Sequence, residues 1–216
     1  MSDHREPRNW CTWAAFLPSV LVVTVLILSG CQTFGLVDKT VEENRIKTHM
    51  KWHSGRVEVY RHFRTIFRAR AVYISDEIRL GAVDWEARTR LMDPEEKEEL
   101  YRNTFKGERD VHQLLLGFYT PERDLNDLEE TDTSWIPYLE SPDGTVTRAA
   151  CFSLAGDEAK IYMRFLEWDL SWSRLYVLCF PRDSMERSEG DGWVKLVISG
   201  PAGQGEILLR TDPPPH

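Results

Sequence analysis

Positive charge in excess is the first thing this sequence lacks. Across 216 residues, 35 acidic side chains stand against 27 lysines and arginines, for a formal net charge of −8, and the basic residues form no cluster. That balance argues against nucleic acid as a partner and against purely electrostatic adhesion to anionic lipid. Cysteine is also scarce. Cys11, Cys31, Cys151 and Cys179 include no CxxC pair, so neither a zinc knuckle nor a thioredoxin-type motif can be built. Catalytic signatures are missing as well. There is no Gly-x-Ser-x-Gly elbow and no Ser-x-x-Lys motif. The glycine-rich Gly200 to Gly205 lacks the lysine and hydroxyl residue of a phosphate loop and reads as a hairpin connection. No repeat is visible. No catalytic residue and no cofactor is assigned, and the chain is expected not to be an enzyme.

Long hydrophobic runs are limited to one. Trp13 to Leu28 has sixteen residues, interrupted by Pro18, Ser19 and Thr24. A spanning helix needs roughly 20 apolar residues to cross a ~30 Å hydrocarbon core. The run is short for that and suits the apolar region of a signal peptide. It ends in Leu28-Ser29-Gly30-Cys31, an aliphatic residue, two small residues and a cysteine. This ending resembles the lipobox of bacterial lipoprotein precursors. The resemblance implies cleavage between Gly30 and Cys31, with Cys31 lipidated at sulfur and amine as the first mature residue. Several acyl chains hold far better than one, since each buried methylene adds about 0.8 kcal/mol and a single chain is marginal. Gln32 stands where inner-membrane lipoproteins of Gram-negative hosts tend to carry aspartate. In such a host the resemblance therefore implies an outer-membrane protein facing the periplasm. An uncleaved signal anchor is the competing reading.

The segment 1–30 holds as many acidic as basic residues, so its removal leaves the net charge at −8. The expected organisation is a signal peptide over 1–30, a tether and short helix over 31–53, one domain over 54–210 and an extended tail over 211–216. In an exported domain Cys151 and Cys179 can form a disulfide worth about 3–4 kcal/mol in the chain-entropy model. Two buried, reduced thiols are the alternative.

Within the domain, Arg61 to Tyr73 alternates with period two. Phe63, Thr65, Phe67, Ala69 and Ala71 share one face, and Arg64, Arg68 and Arg70 the other. The arginine stripe is either a solvated outer face or a receptor for an acidic partner. Two helices follow over about 75–107. Ser75 caps the first, and Asp93-Pro94-Glu95-Glu96 opens the second with a capping box, with Leu100, Tyr101, Thr104 and Phe105 as its inner face. Further strands are expected at 110–119, 134–140, 145–154, 159–166, 174–180, 193–199 and 206–210. The fold class is thus mainly β (α+β). It is an antiparallel β-sandwich with a two-helix insertion between its first two strands, preceded by the signal helix.

Three constellations invite chemistry. His49 and His53 stand four apart on the proposed helix, a spacing that can share a metal, but no third ligand is evident. Exposed histidines are the preferred reading, and no metal site is assigned. Asp124, Asn126, Asp127, Glu129, Glu130 and Asp132 lack the glycine and ligand spacing of a calcium loop. A solvated acidic loop is expected there. Trp168 and Trp172 flank Asp169-Leu170-Ser171, taken as a connection between two strands. Tryptophan in a loop stacks on sugar rings, serves as an interface hot spot or sits at a bilayer interface, or folds back as a lid on the core. The candidate surface is therefore Trp168, Trp172, Arg64, Arg68 and Arg70. The expected function is a lipid-anchored envelope protein acting as a non-enzymatic structural or interaction module with an envelope protein partner. A glycan- or peptidoglycan-binding module using the tryptophans comes second, and a metal-dependent hydrolase third.

Overall fold

Alternation sets the first hairpin. In the computed structural model, which describes residues 40–104, 111–130, 132–186 and 192–215, strand β2 runs Arg64–Ile74. Phe67, Ala69, Ala71 and Tyr73 point into one apolar layer, while Val72 and Ile74 belong to a second layer on the opposite face. Strand β1, Ser54–Arg61, pairs with it antiparallel. β1 went unread in the sequence although Val57 and Val59 alternate with Arg56, Glu58 and Tyr60. Its outward positions Arg56, Glu58 and Tyr60 are polar or charged, and only two valines mark the inner face. As a result the strand expected from Arg61 begins at Arg64, and Phe63 is not on an inner face. Phe63 follows His62, whose backbone is left-handed (φ 55°), at the hairpin turn and is fully exposed.

The helical insertion follows its caps. Helix α2, Asp76–Arg90, starts where the Ser75 hydroxyl accepts from the Ile78 N–H. Helix α3, Pro94–Thr104, starts at a complete capping box. The Asp93 carboxylate accepts from the N–H groups of Glu95 and Glu96, and Glu96 accepts from the Asp93 N–H, all at 2.9 Å. No residue of α3 is fully buried: of the inner face expected there, Leu100 and Thr104 are half-buried and Tyr101 is exposed, while Phe105 lies outside the described residues. Because β1 precedes β2, the insertion lies between the second and third strands, not the first and second.

The remaining strands are β3 (Val111–Tyr119), β4 (Ile136–Glu140), β5 (Val146–Arg148), β6 (Cys151–Leu154), β7 (Arg174–Pro181), β8 (Trp193–Gly200) and β9 (Gly203–Arg210). They form two antiparallel sheets, ordered β1-β2-β3-β7-β6 and β5-β4-β8-β9. The strand expected over 145–154 breaks at Ala149-Ala150, where the chain leaves one sheet for the other; the Ala150 N–H donates to the Cys179 carbonyl at 2.8 Å. At the other edge β1 lies against β9. A Cβ on Gly55 would meet the Leu208 carbonyl oxygen at 2.5 Å, so only glycine permits that approach. The expected strand over 159–166 is instead helix α4, Asp157–Met163, followed by a turn. Ala159, Tyr162 and Phe165 are buried at a spacing of three, a helical stripe and not a strand alternation.

Between the sheets, Phe67, Phe118 and Trp135 pack ring against ring with centroids 5.1–5.5 Å apart. On the outer face of the five-stranded sheet, the second layer gathers Val72, Ile74, Leu115 and Val177 under Ile46 and Met50, Ile78 and Ala82, and Tyr162 and Phe165. These come from helix α1 (residues 40–52), α2, and α4 with its following turn. The helices cover only part of that face. The C-terminal segment is tied down: Trp52 Nε1–H donates to the Asp212 carbonyl at 2.9 Å, and the Arg210 guanidinium lies 3.8 Å over the Trp52 ring. Among the described residues no helix is long and apolar enough to cross a membrane. The apolar run 13–28 and the Leu28–Cys31 motif lie outside the described residues.

Candidate binding groove

The uncovered part of the outer face is where the arginines stand. In the register of β1 and β2, Arg56 faces Arg70 and Glu58 faces Arg68. Arg70 in turn faces Gly117 on β3, and Arg68 faces Tyr119. Glycine at 117 leaves that spot flat. A Cβ there would lie 3.3 Å from Leu170 and 3.5 Å from the Trp168 ring. The loop after α4 therefore lies down on the sheet through Leu170 and Trp168, and Trp168 ends up half-buried. A turn holds the loop: the Ser171 N–H donates to Asp169 at 3.0 Å and its hydroxyl at 2.6 Å. These bonds, with Arg70 nearby, hold the Asp169 carboxyl below its usual range. Trp172 stays 79% exposed.

Sheet, loop and strand ends form a groove of about 900 Å³, lined by Arg56, Arg64, Arg68 and Arg70, by Trp168 and Trp172, and by the carboxylates of Glu58, Glu122 and Asp169. A second depression of about 400 Å³ lies alongside and shares Arg56, Arg70 and Trp168, with Lys47 and Lys51 at its far side. The tryptophan pair and the arginine stripe, singled out separately in the sequence, thus meet in one site. The two rings differ: neither is a lid on the inter-sheet core, and their loop joins a helix to a strand, not two strands. Electrostatically the groove is basic with acidic counterweights. The Tyr60 hydroxyl donates to Glu58, and Arg68, Arg56 and Arg70 surround that carboxyl, holding it below its usual range. Arg68 Nε lies 3.8 Å from Glu58. Arg56, Arg64 and Arg70 make no ion pair among the described residues.

Arg56 and the two lysines were missed in the sequence. The alternation of Ser54–Arg61 was the signal for Arg56; Lys47 and Lys51 carry none, because their place depends on how α1 packs.

Elsewhere the constellations come apart. His49 Nδ1 faces Glu77 at 3.1 Å, whereas His53 is buried, not exposed as expected, with Nδ1 at 2.8 Å from the Arg210 carbonyl. The ring sits edge-on to Tyr73 at 5.6 Å. Among the described residues no group of three or more His, Cys, Asp or Glu side chains could hold a metal ion. The acidic loop is not simply solvated. Leu128 is fully buried, and Arg174 and the Tyr176 hydroxyl both donate to Glu129, Tyr176 at 2.8 Å. Burial, with this bond, raises the Tyr176 pKa. Cys151 and Cys179 face each other across β6 and β7 and are joined as a disulfide.

No protein-family model matches the chain, and no curated protein or solved structure compared with it matches significantly.

Proposed function

We propose that this chain is a lipid-anchored envelope protein acting as a non-enzymatic interaction module, with the arginine–tryptophan groove as its binding surface. The observation that carries the reading is the convergence of Arg64, Arg68, Arg70, Trp168 and Trp172 on one groove. Tryptophan, tyrosine and arginine are the side chains that dominate binding energy at protein interfaces. The lipobox-like Leu28–Cys31 supplies the anchor. The disulfide between Cys151 and Cys179 suits an exported domain, because such bonds persist in oxidising compartments. In a Gram-negative host the protein faces the periplasm from the outer membrane. Glycan or peptidoglycan binding is the second reading, favoured by the exposed Trp172 ring beside the arginines.

Two measurements test this function. Cells fed labelled palmitate should incorporate it into the wild-type chain and not into Cys31→Ser; equal labelling removes the anchor. Crosslinking in intact cells should then place an envelope component at Trp172 or Arg68. Crosslinks found only elsewhere remove the groove from the account.

A further inference from the structure

We infer that the occupant of the groove is an acidic, aliphatic-bearing segment of a partner protein. The inference rests on the proposed reading of the groove as a binding surface and names what fills it.

Arg56 and Arg70 are direct cross-strand neighbours, and like charges so placed destabilise a sheet. Neither makes an ion pair among the described residues. Glu58 has Arg68 as its own cross-strand partner, and Asp169, near Arg70, accepts from Ser171 in the loop turn. With Glu122, these carboxylates leave the four arginines of the groove in excess by one. A carboxylate arriving from outside relieves that repulsion and matches the planar guanidinium fork. The chain as a whole is acidic, so this concentration of arginine is local and works at short range.

The groove is also lined by the half-buried Ile66 and Leu170. The neighbouring hairpin tip presents Phe63 fully exposed, next to Arg64. Aliphatic and aromatic surface interleaved with guanidinium calls for a ligand carrying both carboxylates and apolar side chains. An acidic peptide segment has both, whereas a uronic-acid glycan has carboxylates and ring faces but no aliphatic side chains. An anionic bilayer is flat and would be repelled by the rest of an acidic molecule.

The test uses the full chain reconstituted in phosphatidylcholine nanodiscs. It is titrated with a fluorescent peptide of alternating glutamate and leucine and with a lysine–leucine counterpart. A uronic-acid oligosaccharide and phosphatidylglycerol vesicles are then added as competitors. The glutamate peptide should bind at least about tenfold more tightly than the lysine peptide, a difference of about 1.4 kcal/mol. Arg56→Glu should weaken it about tenfold while the melting temperature holds or rises, because the substitution replaces a like-charged pair with an opposite one. Trp172→Ala, at an exposed position, should weaken it too. Equal affinity for the two peptides, or indifference to Arg56→Glu, overturns the acidic occupant. Preferential, Arg56-dependent binding of the oligosaccharide or the vesicles also overturns it but leaves the groove as the site. If no probe responds to either substitution, both the occupant and the groove reading fall.

Discussion

His53 illustrates how a single side chain answers to its surroundings. Its Nδ1–H is placed to donate to the Arg210 carbonyl, which leaves Nε2 buried without a hydrogen-bond partner among the described residues. Burial is the main cause that holds its pKa below the ordinary value of 6.5; the bond to Arg210 opposes the shift, and nearby His49 adds to it. Between that lowered value and 6.5 the unfolded chain binds a proton that the folded chain refuses. The stability contributed is complete above about pH 6.5 and is lost as the pH falls toward the folded-state value. His53→Gln keeps a donor for the carbonyl and removes the titration. Chemical denaturation at pH 7.5 and pH 5.5 should show a smaller acid loss in the variant than in the wild type. An equal or larger loss in the variant would assign the acid sensitivity to other groups. The sequence revealed the spacing of His49 and His53 but not their directions, because one neighbour is a carboxylate on α2 and the other a carbonyl near the C-terminus.

At the scale of elements, local signals and packing separate cleanly in the helices. The capping box at Asp93 was legible because all its groups lie within four residues. Whether α3 would be buried was not, since its partners would have to come from elsewhere in the chain. Asp93→Ala should cost about 1 kcal/mol locally. Since no residue of α3 is fully buried, hydrogen exchange should speed in residues 94–104 while the global unfolding midpoint barely moves. Phe165, nearly fully buried in the layer beneath the helices, behaves oppositely. Phe165→Ala should destabilise the whole domain by about 3–5 kcal/mol, read by denaturant titration. A mere local effect would mean that the outer layer folds independently of the sandwich. The strand expected over 159–166 failed for a related reason. Its apolar residues suit both periods over so short a stretch, and the sheet face that receives Ala159, Tyr162 and Phe165 chose the helical one.

For the whole molecule, a covalent bond secures one edge of the five-stranded sheet. β6 is short and exposed, and the Cys151–Cys179 bridge ties it to β7. Closing a loop of 28 residues by a disulfide is worth roughly 3–4 kcal/mol in the chain-entropy model. Cys151→Ser with Cys179→Ser should lower unfolding stability by about that amount, and added reductant should lower the wild type to match. An unchanged midpoint in both cases would mean the thiols are not bridged in the purified protein. The same edge places β7 so that Arg174 and Tyr176 reach Glu129, which folds the acidic loop against the sheet.

What the sequence determined by itself was local. The β-rich class, the arginine face of β2, the caps of both inserted helices and most strand positions depend on periodicity and turn chemistry within a few residues. Tertiary structure decided what the arginines face. Arg56 joined them because β1 pairs in a register that sets it opposite Arg70. Trp168 reached them because Gly117, about fifty residues earlier in the chain, leaves the sheet flat enough for its loop to lie down. Contacts between residues so far apart arise only when the sheet forms, and the groove exists at that level alone.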